Sequence, residues 1–349
     1  MNIILNPTKL LYVDKTKLKL NLGNFPETGK SIEISDSALI DFFKAMQEKK
    51  SFDEVCALLT ELCGVDKTDA MESLNYLLDQ NILIDYQDFS KIKRNKRFCR
   101  EMLYFYMQSE KNLQKNFEVF ENAKILILGV GGVGSVVSEM LVRAGARFLT
   151  LVDNDVVEES NLIRQLGYFE NDIRKSKTLI LKKHLQNISS KATINTVDLF
   201  VDNESNLDKL IKNVDFVVCT FDKPFRKIRS LVNDVCVRNN KPVTFAGFAE
   251  HVGMVGPFVV PHKTACLSCI EKKHAEPIST INMVPSYGPL CGVIGNFVTD
   301  EIINYFVKYK SENLVGKTMM INMSNHKIKT IKWAKKEKCK ICGGNHAGN

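Results

Sequence analysis

The sequence predicts an α/β protein: a doubly wound, mostly parallel sheet, preceded by a small winged-helix-like domain and followed by a C-terminal antiparallel extension. Three observations carry this. From residue 123 to about 260 short apolar runs alternate with amphipathic stretches, the rhythm of strands and crossover helices. One of those runs, ILILGVGGVGS (125–135), ends in a glycine-rich turn. The rhythm is absent before residue 88 and changes beyond 260.

The elements follow in order. KLLYV, LKLNL and SIEIS read as three short strands set apart by turn residues. Three helices come next. DSALIDFFKAMQ puts Leu39, Phe42, Phe43 and Met46 on one face. Ser51 and Glu54 form a capping box for FDEVCALLTEL, and KTDAMESLNYLLDQ repeats Met71, Leu74, Leu77 and Leu78. ILIDY closes as a strand. Residues 1–88 therefore read as a module without a catalytic cluster, which suits binding. Residues 89–122 read as a linker and helix: KIKRNKRFCR (91–100) as a solvated basic run, then a helix over 101–120. In 123–349 the strands are KILILG, FLTLVD, TINTVDL, DFVVCT and PVTFAG, with helices at 134–144, 176–188, 206–212 and 225–239. A loop over Cys266–Pro289 leads to the helix GVIGNFVTDEIINYFVKY, then to TMMINMS and KIKTIKWA as an antiparallel pair.

Bulk properties exclude several classes. A chain of 349 residues buries a core without covalent staples, so its ten cysteines do not read as a disulfide framework. Four of them form two Cys-x-x-Cys pairs, which points to metal in a reducing compartment. The start, MNIILNPTKLLYVDKTK, has no signal-peptide pattern, and no run approaches the roughly twenty apolar residues of a membrane span. The expectation is a cytoplasmic protein with no membrane partner. The net charge of +8 is a weak pointer to an anionic ligand. Nucleic acid is not expected, because the third helix carries Asp69, Glu72 and Asp79.

Gly129, Gly131, Gly132 and Gly134 let a backbone turn tightly and approach a phosphate, and the helix that follows offers unpaired N–H groups to an anion. Asp153 ends the next strand. This Rossmann-like pattern fits a dinucleotide such as NAD or a mononucleotide such as ATP.

Further residues narrow the choice. After Asp153 the chain reads DNDVVEESNLIRQ, then SKTLILKKH, CTFD and the two cysteine pairs. Over about 94–345 these motifs, in this order, resemble the ThiF/MoeB/HesA superfamily of adenylating enzymes related to the ubiquitin-activating enzymes. The resemblance implies ATP. It implies that Asp153 binds the ribose, with Asp155 nearby; that Arg164 and Lys177 bind phosphates, positioned with Asn161 and Gln165; and that Asp222 holds Mg²⁺. The chemistry agrees, since a carboxylate attacking the α-phosphate brings two anions together and needs cations around them. RFCR (97–100) resembles the family's R-Y-x-R element, which implies that Arg100 reaches the ATP of a second subunit in a homodimer. Cys266, Cys269, Cys339 and Cys342 fit a closed, structural Cys₄ zinc site.

Two departures refine the expectation. The crossover loop 271–289 contains no cysteine, which implies adenylation without a thioester, and Cys291 reads as a core thiol. Residues 1–88 resemble the PqqD-like peptide-recognition domain, so the layout is that of the peptide-modifying MccB (microcin C) type. The implied substrate is a ribosomally synthesised precursor peptide in antibiotic maturation, modified at its terminus as in microcin C or cyclised through a side chain as in pantocin-type peptides. Its leader would add to the strand edge near SIEIS, and Lys272 and Lys273 would suit an acidic core. The alternatives are adenylation of a ubiquitin-like sulfur carrier and a non-catalytic peptide-binding partner subunit.

Overall fold

The computed structural model describes residues 1–14, 19–23, 30–33, 37–108, 112–223, 227–270 and 285–343. The chain divides into two compact units, Met1–Lys111 and Asn112–Asn349.

The first unit runs β1 (Asn2–Leu5), β2 (Leu11–Asp14), β3 (Lys19–Leu22), β4 (Lys30–Glu33), α1 (Ala38–Ala45), β5 (Lys50–Ser51), α2 (Phe52–Cys63), α3 (Lys67–Asp79), β6 (Leu83–Asp85), α4 (Tyr86–Arg94) and α5 (Cys99–Tyr106). It has two antiparallel sheets, ordered β5-β1-β6 and β2-β3-β4. The end of SIEIS lies outside the described residues. The capping box forms as its sequence dictates: Glu54 N–H donates to Ser51 Oγ at 3.3 Å and Ser51 N–H to Glu54 Oε2 at 2.6 Å. Gly64 then ends α2 with φ 67°, a left-handed cap that glycine adopts freely. Phe42, Phe43, Met46, Val55, Leu59, Ala70, Leu74 and Leu77 close the core around Ile3 and Leu83.

Three expectations change here. Met71 is 42% exposed; the inward face of α3 is Ala70, Leu74 and Leu77. The basic run does not begin as a linker. Asp85 caps α4 by accepting from Gln87 N–H at 2.8 Å, and Lys91, Lys93 and Arg94 occupy its last turn, where cations complement the exposed carbonyls. The helix expected over 101–120 is two helices, α5 and then α6 (Leu113–Asn122), whose first residue begins after Asn112 turns through φ 59°; 109–111 lie outside the described residues.

The second unit continues with β7 (Lys124–Leu128), α7 (Gly132–Ala144), β8 (Phe148–Val152), α8 (Lys177–Ile188), β9 (Thr193–Val197), α9 (Glu204–Ile211), β10 (Phe216–Cys219), α10 (Lys227–Arg238), β11 (Val243–Ala249), β12 (Val252–Val259), α11 (Leu267–Ile270), α12 (Gly288–Val307), β13 (Lys317–Asn322) and β14 (Lys327–Lys332). These strands form one eight-stranded sheet, β14-β13-β12-β11-β10-β7-β8-β9. From β9 to β11 every pairing is parallel, and from β11 to β14 every pairing is antiparallel. The mostly parallel sheet with a C-terminal antiparallel extension is therefore as expected. Ile125 to Leu128 are fully buried, because the central strand is covered on both faces.

β12 carries Gly253, Gly256 and Pro257, which hide its strand pattern in the sequence. Gly253 serves packing: a Cβ there would lie 2.7 Å from Ile294 of α12. The same helix meets α7 closely, since a Cβ on Gly295 would lie 2.6 Å from Val136 Cγ1. Although α12 has 20 residues and a largely buried surface, no helix among the described residues is long and apolar enough to cross a membrane.

Candidate active site

The chain leaves β7 for β8 on one side and later fills β10 on the other. The carboxyl ends of these strands open a crevice at that reversal, where ligands bind in doubly wound sheets. A cleft of about 1190 Å³ lies there. It is lined by Gly129, Gly131 and Gly132 after β7, Asp153 and Asp155 after β8, Asn161, Arg164 and Gln165 from the following loop, Lys177 at the start of α8, and Asp222 after β10. Nearly all the residues singled out for nucleotide binding are thus brought together.

The glycines have separable reasons. Gly129 holds φ 94°, and a Cβ on it would meet Thr220 Oγ1 at 2.8 Å. A Cβ on Gly134 would lie 1.9 Å from the Gly129 carbonyl oxygen, so this residue lets α7 start directly behind the turn; it does not line the cleft. At Gly132 the neighbour is Cys291 Sγ, 2.8 Å from a built Cβ. Cys291 is fully buried, and burial pushes its thiol up from the ordinary range. At Gly131 there is room: a Cβ would meet Gln165 Nε2 at 3.8 Å, an ordinary contact. Among the described residues no side chain caps α7, whose first turn follows Gly131.

Asp153 fastens the turn to β8. Its Oδ2 accepts from Val130 N–H at 2.8 Å and its Oδ1 from Asp155 N–H at 3.0 Å. It is 7% exposed, and burial raises its pKa above the usual carboxylate value against those two hydrogen bonds. Lys177 is buried, with Nζ 2.9 Å from Asp155 Oδ2. Arg164 is half-buried and donates from Nη1 to Ser160 O at 2.6 Å. Asn161 accepts from Glu158 N–H at 3.1 Å, which folds the loop beneath Arg164. Among the described residues the Gln165 side-chain oxygen is buried without a hydrogen-bond partner, an acceptor in the cleft wall. Asp222 is exposed and presents a hard oxygen donor, which fits Mg²⁺. Arg100 lies in the first turn of α5, exposed, in the first unit.

Three residues that sequence reasoning missed complete the site. Tyr168 donates from its hydroxyl to Val130 O at 2.9 Å, and Thr220 Oγ1 donates to Gly129 O at 2.9 Å, so both hold the turn in place. Arg229 lines the far end of the cleft. Thr220 stands inside the CTFD motif and could have been found there; nothing in the sequence marks the other two.

At the other end of the unit, Cys266 and Cys269 follow β12 while Cys339 and Cys342 follow β14, and all four are buried. Their sulfurs lie within 4.8 Å of one another, with Cys266–Cys339 at 3.7 Å and Cys269–Cys342 at 3.4 Å. Four thiolates bound tetrahedrally to zinc stand about 3.8 Å apart. The donor set therefore fits zinc, with no ligand position left open for water. Asn233 accepts from Leu267 N–H at 2.8 Å and steadies the first pair.

The chain is 31% identical over 226 residues to the adenylyltransferase and sulfurtransferase MOCS3 of Dictyostelium discoideum, an alignment covering 64% of this chain and 52% of that one, so it spans about half of that relative's length. It is 26% identical over 226 residues to the molybdopterin-synthase adenylyltransferase of Salmonella typhimurium, covering 65% of this chain and 89% of that enzyme. In fold it is similar to the microcin C7 biosynthetic enzyme MccB of the complex with N-formylated MccA, with TM-score 0.84 and 24% identity over 98% of this chain and 100% of that one. Residues 106–341 match the ThiF family, and the chain belongs to that family.

Proposed function

We propose that the chain is an ATP-dependent adenylyltransferase that activates a carboxyl group of a ribosomally synthesised precursor peptide. The observation that carries this reading is the reach of the fold likeness. The Salmonella enzyme accounts for 65% of this chain, whereas the MccB fold accounts for 98%, so the first unit is included. A peptide-modifying enzyme needs a part that holds the peptide, and residues 1–88 supply a candidate without catalytic groups.

In this reading Asp153 receives the ribose, Arg164 and Lys177 bind the phosphates, and Asn161 and Gln165 position them beside the glycine turn. Asp222 would hold Mg²⁺, which supplies charge neutralisation at the triphosphate. A carboxylate oxygen attacks the α-phosphorus, the bond to pyrophosphate breaks, and pyrophosphate leaves with the electron pair. Arg100 serves the site of a second copy in a homodimer, its guanidinium suited to phosphate because it stays charged and presents fixed donors. Zinc at the four cysteines is structural, and the reducing interior of a cell, the cytoplasm, is where such thiolates persist.

Incubation with ATP and the small peptide encoded beside the gene, followed by mass measurement, tests the proposal. The expected product is a modified peptide with release of pyrophosphate; unchanged peptide with ATP intact overturns it. The curated relatives favour a second reading, adenylation of a sulfur-carrier protein. Adenylate formation on such a carrier, with none on the peptide, would establish that reading instead.

A further inference from the structure

The cleft has a second cationic end. Arg229, in the first turn of α10, lines it beside Lys223, Gly247 and Phe248. The residue is half-buried, Nη2 donates to Ala246 O at 2.8 Å, and among the described residues no carboxylate pairs with it. A guanidinium carries five N–H donors, so one bond to a backbone carbonyl fixes its position and leaves the charged fork unspent. The sequence makes room for it: a Cβ on Gly247 would lie 2.7 Å from Nη2.

Strand order says what this end is for. Asp153 follows β8, the glycine turn follows β7, Asp222 follows β10, and Ala246 and Gly247 belong to β11, four neighbouring strands in the order β8-β7-β10-β11. At about 4.8 Å per strand, the anchor of Arg229 stands about 10 Å from the glycine turn and about 14 Å from the Asp153 side. A nucleotide with its ribose at Asp153 and its phosphates at the turn leaves the β11 end to the other reactant.

We propose that Arg229 binds the carboxylate that is adenylated. This rests on the adenylyltransferase reading and deepens it by assigning the acyl-substrate end of the cleft. The guanidinium holds one carboxylate oxygen, and the other attacks the α-phosphorus. The carboxylate enters ionised, so no proton has to move as the new P–O bond forms and pyrophosphate departs. A half-buried cation left without a countercharge is costly, and the incoming carboxylate relieves that cost.

Arg229→Gln keeps an amide donor for Ala246 O but loses the charged fork. The expected result is a kcat/KM for the precursor peptide lowered about tenfold to a hundredfold, as for loss of one charge-assisted bond. Affinity for the analogue AMPCPP and the midpoint of thermal unfolding should stay as in the wild type, and Arg229→Lys should recover part of the peptide activity. A prop for β11 would instead move unfolding and AMPCPP affinity together. Unchanged kcat/KM in Arg229→Gln, or equal loss of AMPCPP affinity, overturns the assignment. A wild-type protein that releases no pyrophosphate with the peptide counts against the adenylyltransferase reading alone. In that event, NMR titration of ¹³C-acetate into the AMPCPP complex decides: binding lost in Arg229→Gln supports the assignment, and equal binding in both proteins overturns it.

Discussion

Lys177 Nζ sits 2.9 Å from Asp155 Oδ2, and the two residues differ sharply in exposure: the lysine side chain is 6% exposed and the aspartate side chain 63%. A buried cation is thus neutralised by a carboxylate on the rim, in the place where a triphosphate would compete for it. Asp155→Asn should lower the stability of the nucleotide-free protein by about 1 kcal/mol, a figure already reduced for the solvent around Asp155. Saturating Mg·ATP should restore it. Lys177→Met should act in reverse: the remaining carboxylate is well solvated, so stability holds, while adenylation falls at least about a hundredfold through loss of phosphate stabilisation. Thermal unfolding with and without Mg·ATP, set beside pyrophosphate release, measures both.

Asp222→Ala is expected to leave unfolding unchanged, because the side chain is exposed and among the described residues it accepts no hydrogen bond. Activity should fall by about two orders of magnitude and rise in part at high Mg²⁺ if the ion is anchored there. A magnesium titration of pyrophosphate release in both proteins is the check.

Freshly purified, reduced protein should contain one zinc per chain by elemental analysis. Cys339→Ser should lose the metal and lower the unfolding midpoint, since thiolate ligation couples binding to folding. A metal-free protein of undiminished stability would refute this.

The role of residues 1–88 is best tested through the peptide. Truncation near residue 90 would cut α4 between its Asp85 cap and the buried Ile92. A core peptide supplied without its leader should instead be modified with kcat/KM at least about a hundredfold lower than the full precursor, because the tether no longer raises its effective concentration. Equal rates at sub-saturating peptide would mean that the module does not recognise a leader.

Periodicity and turn chemistry made most of the fold legible. The strands β7 and β10 announce themselves as apolar runs because both faces are covered, and α2 is bounded by Ser51, Glu54 and Gly64 in plain view. The misses share a cause: tertiary contact decided them. NIIL becomes β1 only through pairing with β5 and β6, and β12 is disguised by its glycines, of which Gly253 admits Ile294 and Leu290. In the site, charged residues with fixed spacing could be named beforehand. Tyr168 and Arg229 could not, since one acts by reaching back to Val130 O and the other by leaning on Ala246 O, and neither distance is written in a motif.

A metal ion held by the four cysteines would also set the chain's topology. Cys266 and Cys339 are 73 positions apart, and Cys269 and Cys342 likewise, so a shared ion would close α12, β13, β14 and the crossover segment into a ring. A protease that cut this ring once would not release a fragment. The two pieces would stay knotted to one ion and to neighbouring strands, and would part only when a chelator and a denaturant were applied together.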